Sequence, residues 1–526
     1  MKAQYIDYKE TGSFSPAVIR YLDKDTSLKP FYNQNATLEG FEKILSSKKI
    51  TTNRKLLSEI LTKQYEGLNI SQQLAENITL LKNENCFTVT TGHQLNLFTG
   101  PLYFLFKIVS TINLCNDLKK RFPEKDFVPV YWMATEDHDF DEINHTFINS
   151  KKVAWPIETN GATGRISTEG IKKTIEEYIS VLGISENAQE LGELVETAYK
   201  EENLSKATRH LVNSLFGKYG LVILDADEPA LKSLFSTIIA EDIISENSFK
   251  NINHTNEELI KAGVSPQVNA REINFFYMLD NLRERIVFEN GKYNILHSDI
   301  SFSETELKEE IASHPERFSP NVVMRPLYQE VILPNLAYIG GPAELVYWLQ
   351  LKSNFNHYHI DFPILILRNC ASIANPKIDD KLERLGFSYR DIFKNKEELK
   401  NKWVLRTTEH DLSIDNEWRE IDCIFEKLKL RAHKIDPTLA PSTEAIKIRL
   451  HKAMRSLEKK LLKAEKKNHS EALQNIENIK DELFPGGTLQ ERKENFGMFY
   501  VKYGEDFIPS LLKNLHPLDF KYTILS

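Results

Sequence analysis

Three short stretches of the 526-residue chain gather side chains that could do chemistry. The first is Thr91-Gly92-His93-Gln94-Leu95-Asn96, followed by Thr99 and Gly100. Small residues there let a ligand approach the backbone, and the amino end of a following helix favours an anion such as phosphate or carboxylate. His93 can give a proton or a hydrogen bond to a leaving group, and Lys107, within two turns of the helix start, adds positive charge. The competing reading is a plain βα turn in which Gly92 and Gly100 only satisfy backbone geometry. The second stretch runs from Glu136 through Asp137, His138, Asp139, Asp141 and Asn144 to His145. Such a cluster at a strand end can grip an amine- or hydroxyl-bearing substrate, act as a general base or hold a metal. A solvated acidic loop, with Asp139 or Asp141 capping a helix, is the alternative. The spacing of His138 and His145 fits no single helical face, so no metal site is expected here. The third stretch carries Tyr338, Gly340, Gly341 and Glu344 around a sharp Gly-Gly-Pro loop that opens a helix. Arg325 and Arg368 each lie beside a strand-like segment and could clamp a carboxylate bidentately, or serve as structural salt bridges.

The elements that must position these groups can be read from periodicity. Cys86–Thr90 is a strand, and Pro101 suits the first position of a helix capped by Gly100, with Leu105, Ile108, Val109 and Ile112 on one face. Phe127–Ala134 is the next strand, which completes a βαβ unit. Leu221–Leu224, ending in Asp225, and Phe362–Leu367 are further core strands. The fold class is therefore α/β with a parallel sheet, whose ligands bind beyond the carboxyl ends of the strands. Residues 1–85 read as helical, with an apolar stripe through Leu56, Ile60 and Leu61. Residues 150–330 read as connecting insertions that include a small antiparallel β region at 267–299. From residue 386 to 485 the spacing of Trp418, Ile421, Phe425, Leu428, Ala432 and Ile435 predicts one coiled-coil helix. Ile446, Leu450, Ala453, Leu457, Leu461 and Ala464 predict a second, after a break at Pro437–Pro441. The second helix is expected to reach Leu483, stopped by Pro485-Gly486-Gly487, which makes an antiparallel hairpin. Three regions follow: a catalytic core at 1–385, the hairpin at 386–485 and a tail at 486–526 that packs on the core.

Bulk properties narrow the class. A net charge of −8 argues against a nucleic-acid-binding surface. No apolar run reaches membrane-spanning length and the start has no signal layout, so a soluble cytoplasmic protein is expected. Cys86, Cys115, Cys370 and Cys423 lie far apart, which fits reduced thiols and excludes a cysteine-rich zinc site.

The segments TGHQLNLFTGPLYFLFK, VPVYWMATEDHDFDEINH, RPLYQEVILPNLAYIGGPAELVYWLQLK and LFPGGTLQER resemble the cysteine-ligase family of bacillithiol biosynthesis. They recur in the expected order across most of the chain. The resemblance implies a Rossmann-like core with inserted connecting segments and a coiled-coil arm through which two subunits form a homodimer. It also implies the last pathway step, in which cysteine is joined to glucosaminyl malate by an amide at the sugar amine. The fold is similar to that of class I aminoacyl-tRNA synthetases and related nucleotidylyltransferases, where a histidine-containing turn binds nucleotide phosphates. His93 occupies that place, although neither an HIGH signature nor a KMSKS loop is present.

A carboxylate acylates an amine only after its oxygen becomes a good leaving group, as in an acyl-adenylate or acyl-phosphate. ATP, with binding of ADP, is the expected cofactor, and Mg accompanying the nucleotide is the only metal expected. The first turn (Gly92, His93, Asn96, Thr99, Lys107) is expected to bind the activated group. Glu136, Asp137, His138 and Asp139 are expected to orient the amine and take up its proton, with Arg325 and Arg368 on the malyl carboxylates. Two rivals remain at this point: a metal-dependent phosphohydrolase or nucleotidylyltransferase-like enzyme using His138-Asp139, and a coiled-coil scaffold with a vestigial core.

Overall fold

Largely apolar runs make five buried parallel strands. These are β1 (Cys86–His93), β2 (Asp126–Met133), β3 (Val222–Asp225), β4 (Asn335–Gly340) and β5 (Ile364–Leu367), hydrogen-bonded in the order β5-β4-β1-β2-β3. The computed structural model describes residues 1–48 and 51–526. Helix α1 (Tyr103–Arg121) joins β1 to β2, and its Leu114 and Leu118 pack with Phe87, Val89, Leu336, Ile339, Ile364 and Ile366 in the sheet core. The chain goes from β1 outward to β2 and β3, then returns to the other side of β1 for β4 and β5. That reversal between β1 and β4 opens a crevice at the carboxyl ends of the strands, where ligands of such sheets bind.

Two compact units result, Met1–Ile373 with Thr488–Leu525, and Ala374–Gly487 with Ser526. The second unit thus begins at Ala374 rather than at residue 386. In the first, the end of the chain (Lys521–Leu525) forms a strand between Ala3–Asp7 and Cys370–Ile373, a small sheet the opening residues do not advertise. The insertion between β3 and β4 holds a five-stranded sheet containing Phe275–Leu279, Leu282–Glu289 and Phe318–Pro320, its neighbours antiparallel. Helix stripes near the start run through Leu57, Ile60 and Leu61, with Leu56 only half-buried.

Other expectations shift. β1 continues three residues past Thr90. Leu97–Thr99 forms one 3-10 turn, with Phe98 and Thr99 in the left-handed region, and α1 starts only at Tyr103 because Pro101 bridges to Asn495. Arg325 opens a helix, α2 (Arg325–Ile332), not a strand: Pro326 sits in its first turn, where a missing N–H costs nothing.

In the second unit, α4 (Asp415–Ile435) and α5 (Leu439–Asn468) form the hairpin, and α6 (Ser470–Leu483) follows a break at His469. The face of α5 that meets α4 carries Lys447, His451 and Arg455: Lys447 pairs with Asp422, Arg455 with Asp415, and His451 lies 4.3 Å from the Trp418 ring. The seam expected on α5 is elsewhere. Ile446, Leu450, Leu457 and Leu461 are 55%, 36%, 50% and 38% exposed. Among the described residues no helix is long and apolar enough to cross a membrane, and no group of three or more His, Cys, Asp or Glu side chains is arranged to hold a metal ion.

Candidate active site

A cavity of about 780 Å³ opens in that crevice, between the ends of β1, β2 and β4 and the antiparallel insertion. Gly92, His93 and Gln94 enter it from β1, and Thr135, Glu136, Asp137 and His138 from the segment after β2. The two loops singled out in the sequence therefore share one pocket. Gln94 links them directly: its side-chain amide donates to Asp137 Oδ2 at 2.7 Å and to Glu142 at 3.0 Å.

The floor is a buried polar node. Lys107 Nζ donates to the Gly92 carbonyl at 2.7 Å and pairs with Glu344 at 2.5 Å. Glu344, in α3 (Pro342–Trp348), also accepts from Tyr338 Oη and from the Gly341 N–H. Burial pushes the Glu344 carboxyl up, but Lys107 outweighs it and the group stays below the usual range. The Arg325 guanidinium lies between the Trp132 and Tyr338 rings, 5.7 and 5.6 Å from their centroids, and donates to Gln329. Its second terminal nitrogen is buried with no hydrogen-bond partner among the described residues, and so is His93 Nε2. Burial, helped by Lys107 and Arg368, holds the His93 imidazole well below its ordinary range, so it is neutral and offers a hydrogen bond rather than a spare proton.

On the β2 side, Glu136 forms an ion pair with fully buried Lys232. Burial nevertheless outweighs that cation and pushes the Glu136 carboxyl up to about 7. Asp137 accepts the backbone N–H of His138 at 2.8 Å, which folds the loop back on itself. Two arginines of the insertion complete the wall. Arg283 is buried and contacts His138, while Arg271 reaches the cavity from an exposed position.

Several expected residues do not line the cavity. Thr91 is inside the sheet, donating to the Ile339 carbonyl. Asn96, Thr99 and Gly100 build the strained turn beneath it, which Asn495 holds by donating to the Phe98 and Gly100 carbonyls. A side chain at Gly100 (φ 65°) would meet Asn96 Cβ at 2.5 Å, so glycine there serves the turn itself. Asp139 caps the short helix Phe140–Ile143, and Asn144 ends it while contacting His145. Gly340 and Gly341 shape the entry to α3, and Arg368 is committed elsewhere, to Glu491 at 2.8 Å. Its two terminal nitrogens are taken by Glu491, the Asn369 carbonyl and Cys370 Sγ, and the residue is not part of the cavity lining. Conversely, Arg283, Arg271 and Tyr103 line the cavity without having been singled out. Alternation along Leu282–Glu289 puts Arg283 on the same face as Arg285 and Glu289, the polar side, so its burial had no sequence signal.

With this geometry in place, comparison with known proteins is unambiguous. The profile described as "Bacillithiol biosynthesis BshC, N-terminal Rossmann-like domain" matches residues 1–369, and the corresponding "C-terminal coiled-coil domain" matches 371–526. Relatives named "Putative cysteine ligase BshC" include one from Flavobacterium johnsoniae, 46% identical with both chains fully covered. Another from Cytophaga hutchinsonii is 37% identical over 98% of this chain and 97% of its own. A more distant one from Bacillus cytotoxicus is 29% identical over 94% of each. Both domain profiles and full-length relatives agree, and the chain belongs to the BshC family of bacillithiol biosynthesis.

Proposed function

We propose that the cavity joins cysteine to glucosaminyl malate in the cytoplasm, with ATP activating the cysteine carboxyl. The carrying observation is that His93 and Asp137, from two different strand ends, line one cavity. In this reading the sugar amine attacks the activated carbonyl, a C–N bond forms and the C–O bond to the activating group breaks. The amine proton passes to the Glu136 or Asp137 carboxylate. His93, neutral and unpartnered at Nε2, gives a hydrogen bond to the activated group, and Arg325 meets a malyl carboxylate with its free nitrogen. Nucleotide, with Mg, is part of this proposal; its test is incubation of the purified protein with cysteine and glucosaminyl malate, with and without ATP, followed by mass spectrometry. Product formed only with ATP supports it, and absence of the amide under both conditions overturns it. Undiminished product from His93→Ala or Asp137→Ala removes that residue from the mechanism.

The same proposal includes a homodimer through the coiled coil. It is supported by the exposed row Ile446, Leu450, Leu457 and Leu461, an apolar face that association would cover. Leu450→Lys with Leu457→Lys is expected to convert a dimer to a monomer in sedimentation equilibrium; a wild-type monomer sinks this part.

A further inference from the structure

We infer that Arg283 is a positioning residue: by donating to Nδ1 of His138 it fixes that ring in the tautomer whose only proton is on Nε2. The inference rests on the proposed amide synthesis and sharpens it, because His138 then supplies a hydrogen bond to the substrate and takes up no proton.

The geometry leaves little freedom. A guanidinium has donors and no acceptor, so the ring nitrogen that faces it must present a lone pair. Arg283 Nη1 lies 2.5 Å from His138 Nδ1. Arg283 cannot swing away easily: its Nε donates to Ser319 Oγ at 3.0 Å, its guanidinium carbon sits 4.0 Å above the Phe276 ring, and the residue is buried. The nearest alternative partner for Nδ1, Asp137 Oδ1, is 3.8 Å away and already accepts the His138 backbone N–H. Which nitrogen of a neutral histidine carries the proton is set by the hydrogen bond the other one makes. Here that leaves Nε2–H as the free donor, on a residue that lines the cavity.

The surrounding charges are mixed. Asp137 and Asp139 from the same loop and Glu284 beside Arg283 favour a protonated ring. Burial first, and then Arg283, oppose them, and the imidazole is held below its ordinary range. A second proton would have to enter at Nδ1, directly against a cation. Proton uptake from the amine therefore falls to Glu136 or Asp137. Arg283 comes from Leu282–Glu289 in the antiparallel insertion, so the insertion contributes to the chemistry and does more than cover the sheet.

The test uses full-length protein with isotope-labelled histidine rings, His138 being assigned by its loss in His138→Gln. The expected spectrum shows the neutral ring with Nδ1 unprotonated and Nε2 protonated, the second proton entering only at lower pH than for an ordinary histidine. In Arg283→Met the tautomers should mix and the ring should take up its second proton at higher pH than in the unaltered protein. A proton on Nδ1 of the neutral ring, or the same tautomer mixture with and without Arg283, overturns the inference. Activity gives a second readout. A glutamine amide can replace an Nε2–H donor but not a base, so His138→Gln should exceed His138→Ala by about tenfold or more. Equal loss in both variants overturns the donor role. The ring measurements need no turnover, so failure of the proposed reaction and failure of this inference are separable.

Discussion

Charge is handled in opposite ways by the Rossmann-like unit and by the hairpin unit. In the Rossmann-like unit key ion pairs are buried: beside the cavity Lys107 exposes 3% of its side chain and its partner Glu344 26%, and outside it Arg368 and Glu491 expose 3% and 1%. In the hairpin, Lys447 meets Asp422 and Glu426 at 2.8 and 2.7 Å, yet those carboxylates are 42% and 51% exposed. Taking a charge out of water is tolerated only when a partner and further hydrogen bonds replace the lost hydration. Buried pairs therefore mark places where the fold holds a side chain in one geometry. Pairs washed by water cost little to form and contribute little.

The strongest way to break this contrast is Glu491→Ala. Glu491 accepts from Arg368 with one oxygen and from the Ala371 N–H with the other, both at 2.8 Å. Truncation leaves the buried guanidinium without its counter-charge, holding only the Asn369 carbonyl and Cys370 Sγ, and leaves a buried N–H unpaired. The expected loss is about 3–5 kcal/mol of unfolding free energy in a denaturant titration. A loss below about 1 kcal/mol, as for an exposed pair, would erase the distinction drawn above.

Glu136→Gln probes the other face of the same physics. Because burial holds its carboxyl up to about 7, a proton-accepting Glu136 must lose its proton before turnover, and kcat/KM should rise through that pH and level off above it. The variant should lack that limb and fall by about 10²–10³ in kcat/KM. Stability runs the other way. A folded-state value above the unfolded one means the group favours the fold most below its ordinary 4.5 and loses that contribution as pH climbs through about 7. Activity and stability should thus diverge over the same window; parallel curves would remove Glu136 from the proton path.

Much of the core was legible because its strands are largely apolar runs and its site loops begin where those runs end. His93, Lys107, Glu136, Asp137 and His138 were found that way, and they meet in one cavity. Helical spacing gave the hairpin; the resemblance added the family and the substrates, neither of which follows from periodicity. What stayed hidden depends on partners far along the chain. Arg368 reads as a free clamp until Glu491, 123 residues later, is seen beside it. Arg283 comes to His138 from 145 residues away. Asp139 and Asn144 read as site residues because a capping aspartate and a catalytic one share a composition. On α5, apolar spacing is present on one face while the contact with α4 uses polar side chains on another, so the pattern located an exposed stripe instead of the intramolecular seam.

A smaller effect is expected where the backbone, and not charge, is under constraint. Gly100→Ala puts a Cβ at φ 65° and within 2.5 Å of Asn96 Cβ, in a turn whose neighbour Thr99 already has φ 69°. A cost of about 1–3 kcal/mol should appear in thermal denaturation, with KM affected less than stability because Gly100 is outside the cavity lining. A selective rise in KM at unchanged stability would return this turn to the substrate-binding surface.

The smallest effect should come from Lys447→Ala in the hairpin. Three carboxylates approach this ammonium, Asp422 and Glu426 across from α4 and Glu444 at 3.7 Å on α5 itself. Three partners might suggest a keystone, but each sits in water, where solvent and counter-ions already satisfy it. Removing the lysine leaves like charges facing one another at a distance that molar salt screens. The variant should therefore melt close to the parent at physiological salt and become indistinguishable from it in molar salt. Glu491→Ala should remain destabilised in both, because counter-ions do not reach Arg368. A salt-insensitive loss at Lys447 would mean the hairpin charges are buried in the functional assembly, and the contrast would then be a property of the single chain alone.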